Sequence, residues 1–144
     1  MEPLPYQLRL ILRNNSHCGA TLLSPNIALT AFHCIAKNLG DYWDPIFGME
    51  PTKDFVVYAG AFEYDEYKKD ENRKNVQKRG IRKARPINNK DGSRNNISPD
   101  LAVLILDEPF EMNEFVTPAC LPTREVPIGE DCIVSGNNFG TKIH

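Results

Sequence analysis

Apolar and polar residues alternate along "YQLRLILR". Tyr6, Leu8, Leu10 and Leu12 fall on one face, with Gln7, Arg9, Ile11 and Arg13 on the other. A period close to two predicts a half-buried β-strand. "CGATLL" and "IALTA" read as two more strands joined by "SPN", a turn because proline fixes φ and asparagine tolerates tight bends. The pair predicts a hairpin. Beyond it, "HCIAKNLG" allows at most a short helical turn ended by Gly40, and "DYWDPIFGMEPTKD", broken by two prolines and a glycine, reads as a surface loop. "FVVYAG" reads as a strand, "EYDEYKKDENRK" as a charged loop and "NVQKRGIRKA" as a weak strand. "LAVLIL" is apolar on both faces, which predicts a strand buried between two layers, and "CIVSG" reads as a final short strand. Short strands with no amphipathic helix and no internal repeat predict an all-β barrel or sandwich.

A length of 144 residues predicts one domain with a single core. The balance of 17 basic against 19 acidic residues leaves a net charge of −2, so global charge points to no nucleic-acid or membrane partner. No apolar run approaches the roughly 18 to 20 residues that cross a bilayer, and "MEPLPYQLRL" lacks the residue order of a signal peptide. Yet the four cysteines, with glycosylation-type triplets at Asn14 and Asn96, suit an oxidising, extracellular setting. A start upstream of Met1 reconciles these signs, and secretion is the expectation.

Local charge departs from the average. Residues 68–85 hold nine basic and two acidic side chains, a local charge of +7. The plainer reading is a solvated edge strand that its lysines keep from pairing; the alternative is a surface for a heparin-like or other anionic partner. No aromatic residue interleaves with the charges between positions 68 and 85, which argues against a base-stacking surface.

"His-Cys" occurs twice, as His17 with Cys18 and His33 with Cys34. Four soft or borderline ligands could hold zinc, but adjacent strand residues point to opposite faces and no C-x-x-C or H-x-x-x-H spacing is present, so no metal is expected. A disulfide between Cys18 and Cys34 is a second reading. It would close a short loop across the hairpin, worth about 3 kcal/mol in the chain-entropy model, and would pin the backbone beside His33. A pinned histidine suits a general base, which must hold its nitrogen within hydrogen-bond reach of a nucleophile. Such a base needs an orienting acid, and Asp100 directly precedes the most apolar strand, where its carboxylate could be shielded from water and accept the Nδ1 proton of His33. From position alone, Asp100 after Ser-Pro reads better as a turn residue.

"PYQLRL", "CGATLLSPNIALTAFHC", "PDLAVLIL", "VTPACLP" and "CIVSGNNFGT" follow one another in the order and rough spacing of the N-terminal half of a chymotrypsin-like (trypsin-like) serine peptidase, which nearly the whole chain resembles. The resemblance implies that residues 1–144 are a partial peptidase domain, the first of two six-stranded antiparallel Greek-key barrels, with the C-terminal barrel missing. It implies His33 as general base, Asp100 as orienting acid and Cys18–Cys34 as the histidine-loop disulfide. Cys120 and Cys132 match positions whose partners lie elsewhere, chiefly in the second barrel. It implies protein or peptide substrates and no cofactor.

The family's nucleophile sits in a Gly-Asp-Ser-Gly-Gly segment, and none of Ser16, Ser24, Ser93, Ser98 and Ser135 has that context. The chain alone is therefore expected to be inactive. Two departures stand out. Phe32 occupies a position that is small in the family, where overpacking would shift the backbone beside His33. Ala61 falls where a first calcium-binding carboxylate would be, so Glu63, Asp65 and Glu66 read as solvated loop. The other functional reading is a non-catalytic, secreted peptidase homologue that binds a protein or an anionic polysaccharide. A Cys120–Cys132 bridge would suit that self-sufficient module, and free thiols a fragment.

Overall fold

The computed structural model describes residues 4–12, 16–36, 55–60, 75–87, 99–136 and 139–143. Six antiparallel strands close into a barrel: β1 (Gln7–Ile11), β2 (His17–Ser24), β3 (Ile27–Thr30), β4 (Val56–Ala59), β5 (Gln77–Pro86) and β6 (Ala102–Leu106). Their order around the wall is β1-β2-β3-β6-β5-β4, with β4 returning to β1. A five-residue helix, α1 (Phe32–Ala36), follows β3. A hairpin of β7 (Cys132–Gly136) and β8 (Phe139–Ile143) pairs only with itself.

The period of two in the first strand becomes packing. Leu8 and Leu10 of β1 are fully buried, as are Leu22 of β2, Val57 of β4 and Leu104 of β6. β2 and β3 form the expected hairpin through Pro25 and Asn26, with a register shift between Leu22 and Ser24. Closure leaves none of the six strands with an unpaired edge.

Three expectations need correction. The strand at β5 is not an edge: it pairs with β4 on one side and β6 on the other. β6 is not buried on both faces. Ala102, Leu104 and Leu106 point into the core, whereas Val103 and Ile105 are half-buried on the outer wall, because a barrel strand has only one interior face. Arg9, on the polar side of the β1 alternation, is only 7 % exposed, so both faces of β1 are buried at its centre. The short strand expected at "CIVSG" forms as β7, outside the barrel, and its partner β8 is an addition to the expected elements.

The segment after β6 contributes core residues without forming a strand. Phe110 and Val116 are buried, and the turn between them is held by Asn113 Oδ1, which accepts from the N–H groups of Phe115 (2.8 Å) and Val116 (3.0 Å). Backbone bonds from Phe110 N–H to Pro25 O (2.7 Å), Thr117 N–H to Pro5 O (3.0 Å) and Ala119 N–H to Leu22 O (2.8 Å) tie this segment to the barrel. At the end of β4, Gly60 adopts φ +78°, and a Cβ there would lie 2.0 Å from the carbonyl oxygen of Asn75. Only glycine fits that approach. The "EYDEYKKDENRK" loop, the loop after Ala36 and the acidic cluster Glu63, Asp65 and Glu66 lie outside the described residues, as do the triplet residues Asn14 and Asn96.

Candidate active site

β3 ends at Thr30, and the chain turns at Ala31 directly into α1, so His33 is delivered to the rim of the barrel on the first turn of a helix. The first N–H groups of a helix have no partner within it. Ala31 offers no side-chain cap, and the acceptor comes from 67 residues away: His33 N–H donates to Asp100 Oδ1 at 2.8 Å. The other carboxylate oxygen, Oδ2, stands 2.6 Å from His33 Nδ1. One carboxylate thus holds both the backbone and the ring of the same residue. With its proton on Nδ1, the imidazole donates to Asp100 and leaves Nε2 as an acceptor.

Asp100 comes into range because it immediately precedes β6, whose residues 102–105 pair with Thr30 to Ile27 in antiparallel register. The strand ladder that aligns Thr30 with Ala102 therefore sets Asp100 beside the start of α1. The expected shielding of the carboxylate does not occur. The side chains of His33 and Asp100 are 61 % and 57 % exposed, and Pro99 and Leu101 on either side of Asp100 are exposed as well. In water the pair contributes little to stability, about 0 to 1 kcal/mol. What it sets is orientation.

Cys18 on β2 and Cys34 on α1 form a disulfide, with Cα atoms 6.3 Å apart. It anchors the residue after His33 to the barrel wall, and Cys34 Sγ lies 3.7 Å from His33 Nε2. Cys18, His33 and Cys34 place their ligand atoms within 4.8 Å of one another. Both sulfurs are consumed in the bond, and a disulfide sulfur is not the thiolate that zinc binding requires. His17, from the first "His-Cys" pair, does not join this group. Cys120 and Cys132 are exposed and free.

Two neighbours complete the frame. Phe32 is half-buried and packs against the core cluster. Thr30 went unnoticed in the sequence: it is buried, and its Oγ1 donates to Gly19 O at 2.9 Å, locking the end of β3 to β2 beside Cys18. A threonine closing an apolar strand just before the histidine is the signal that could have found it.

The family model described as Trypsin matches residues 1–141. The chain belongs to the trypsin family. It is 29 % identical to coagulation factor IX of Oryctolagus cuniculus over 121 residues, 84 % of this chain and 37 % of that protein. It is 28 % identical to kallikrein 1-related peptidase b24 of Mus musculus over 137 residues, 92 % of this chain and 46 % of that protein. Phenoloxidase-activating factor 3 of Holotrichia diomphalia is 30 % identical over 129 residues, 83 % of this chain and 33 % of that protein. The chain thus spans less than half the length of each of these trypsin-family relatives. Its closed six-stranded barrel is one barrel of the trypsin fold. Among the described residues no helix is long and apolar enough to cross a membrane.

Proposed function

We propose that residues 1–144 form the first barrel of a secreted serine endopeptidase, with His33 as general base and Asp100 as its orienting acid. The observation that carries this reading is the two-point hold of Asp100 on His33, at 2.8 Å to the backbone N–H and 2.6 Å to Nδ1. Membership of the trypsin family supports protein or peptide substrates, and the disulfide supports an oxidising compartment.

In this reading His33 Nε2 takes the proton of a serine hydroxyl as that oxygen attacks the scissile carbonyl. Asp100 stabilises the imidazolium so formed, and His33 returns the proton to the departing amine; water then repeats the sequence on the acyl-enzyme. None of the five serines of the chain stands in a Gly-Asp-Ser-Gly-Gly segment. The nucleophile and the oxyanion donors are therefore assigned to a second barrel, outside these residues. The open face at His33 and Asp100 is where that barrel would seat, and the 144-residue chain alone is inactive.

A fluorophosphonate that reacts with activated serines tests this directly on the native secreted protein carrying the chain. Labelling that disappears in His33→Ala is the expected result. A native protein that resists the probe and hydrolyses no peptide substrate is instead a non-catalytic homologue. Hydrolysis by the isolated 144-residue chain, abolished by His33→Ala, overturns the assignment of the nucleophile to a second barrel.

A further inference from the structure

Five of the nine basic residues between positions 68 and 85 lie on β5, and their charge needs another account now that β5 has no free edge. Lysines that guard an edge strand have no task in a strand paired on both sides. Strict alternation from buried Ile81 would turn Lys83 and Arg85 into the core. The register instead shifts between Ile81 and Lys83: Ile81 pairs with Leu106, Lys83 with Ile105 and Arg85 with Val103. Arg82 is the extra residue. This bulge reverses the facing of the rest of the strand, so Ala84 becomes the buried residue and Lys83 and Arg85 share the outer wall with half-buried Ile105 and Val103.

The result is three outward cations within four residues. Arg82 and Arg85 are exposed, Lys83 is half-buried, and none of the three has an ion-pair partner among the described residues. Their cross-strand neighbours on β6 are apolar, so no acid on that strand neutralises them. Lys78 and Arg79 are differently placed. Lys78 lies over the Tyr58 ring, 5.9 Å from its centroid. Arg79 is spent on structure: it stacks 5.2 Å from the Phe110 ring and donates to Pro109 O at 3.0 Å and to Lys78 O at 2.8 Å. Asp107, whose carboxylate lies over Gly80, separates these two from the other three.

We propose that the outer wall of β5, at Arg82, Lys83 and Arg85, is a docking track for a linear sulfated polysaccharide. The track runs along an extended strand over roughly 10 Å at about 3.3 Å per residue. An acidic peptide would gain most by adding a strand to a sheet edge, and the closed barrel offers none. What remains is contact through side-chain charge alone, which suits a polymer of regularly repeated sulfates. The track lies on a strand distinct from the elements bearing His33 and Asp100, so it stands whether or not the proposed catalysis does.

Heparin affinity with a salt gradient, run on the native protein, tests it. Each of Arg82→Gln, Lys83→Gln and Arg85→Gln should lower the slope of log K against log salt by about one. Arg124→Gln, on the exposed carboxy-terminal stretch, should leave the slope unchanged. Asp107→Asn should strengthen retention, a gain that no folding defect would produce. Coincident elution of the wild type and the triple variant overturns the proposal. Competition by poly-glutamate equal to that of heparin fragments at matched charge overturns it too, and assigns the track to an acidic protein.

Discussion

Leu104 and Ile128 are both large aliphatic residues, and they lie at opposite extremes of this molecule. Leu104 is 0 % exposed in the wall of the barrel, whereas Ile128 is 107 % exposed in the stretch that leads to the β7–β8 hairpin. The barrel closes its strand ladder within residues 7–106 and its core within residues 8–116. The stretch from 121 to 134 instead carries Leu121, Val126, Ile128, Ile133 and Val134 into water. The His33–Asp100 pair stands between these regimes: its backbone frame belongs to the barrel and its side chains to solvent. Geometry and shielding are therefore separate properties here. The barrel alone delivers the first, and the proposed second barrel would deliver the other.

The largest expected effect breaks or upholds that contrast directly. Leu104→Ala empties a filled core position and should lower unfolding free energy by about 3 kcal/mol, read from urea midpoints at constant slope. Ile128→Ala should stay within about 0.5 kcal/mol of wild type. Equal costs at the two positions would mean that the carboxy-terminal stretch belongs to the same cooperative unit. Next in size is the Cys18–Cys34 bond, which spans 16 residues. Replacing both cysteines by alanine should cost about 3 kcal/mol or somewhat less, since the barrel ladder already restrains β2. The same urea titration reads it, and a loss below about 1 kcal/mol would show that hydrogen bonding alone anchors α1.

These contrasts explain which parts of the fold were legible in the sequence. Leu8 and Leu10 could be read because alternation is a local property of a strand. The turn at Pro25 and Asn26 was legible for the same reason. The facing of Lys83 and Arg85 was not, because one extra residue at the bulge reverses the parity and leaves no mark on periodicity. Phe110 and Val116 were missed as core because they sit outside the barrel strands, with nothing periodic around them. The site divides the same way. His33 and Cys34 attract notice side by side, but Asp100 is 67 residues further on, and its role was suggested by family resemblance rather than by any local pattern. Its exposure could not be read at all, since that depends on what else packs against the rim.

The smallest expected effect on stability is the most informative about the pair itself. Asp100→Asn keeps an oxygen for the His33 N–H and removes the charge facing Nδ1. Because both side chains are more than half exposed, unfolding free energy should change by less than about 1 kcal/mol. The tautomer is where the change should appear. With a carboxylate opposite, the neutral ring keeps its proton on Nδ1. An amide can present its NH2 group to that nitrogen instead, and the proton then moves to Nε2, the atom that has to accept a proton from a nucleophile. Imidazole nitrogen-15 shifts, measured with the ring neutral in wild type and variant, should show this exchange. Identical shifts in the two proteins would mean that Asp100 caps the helix without setting the ring, and the pair would lose its claim to orient a base.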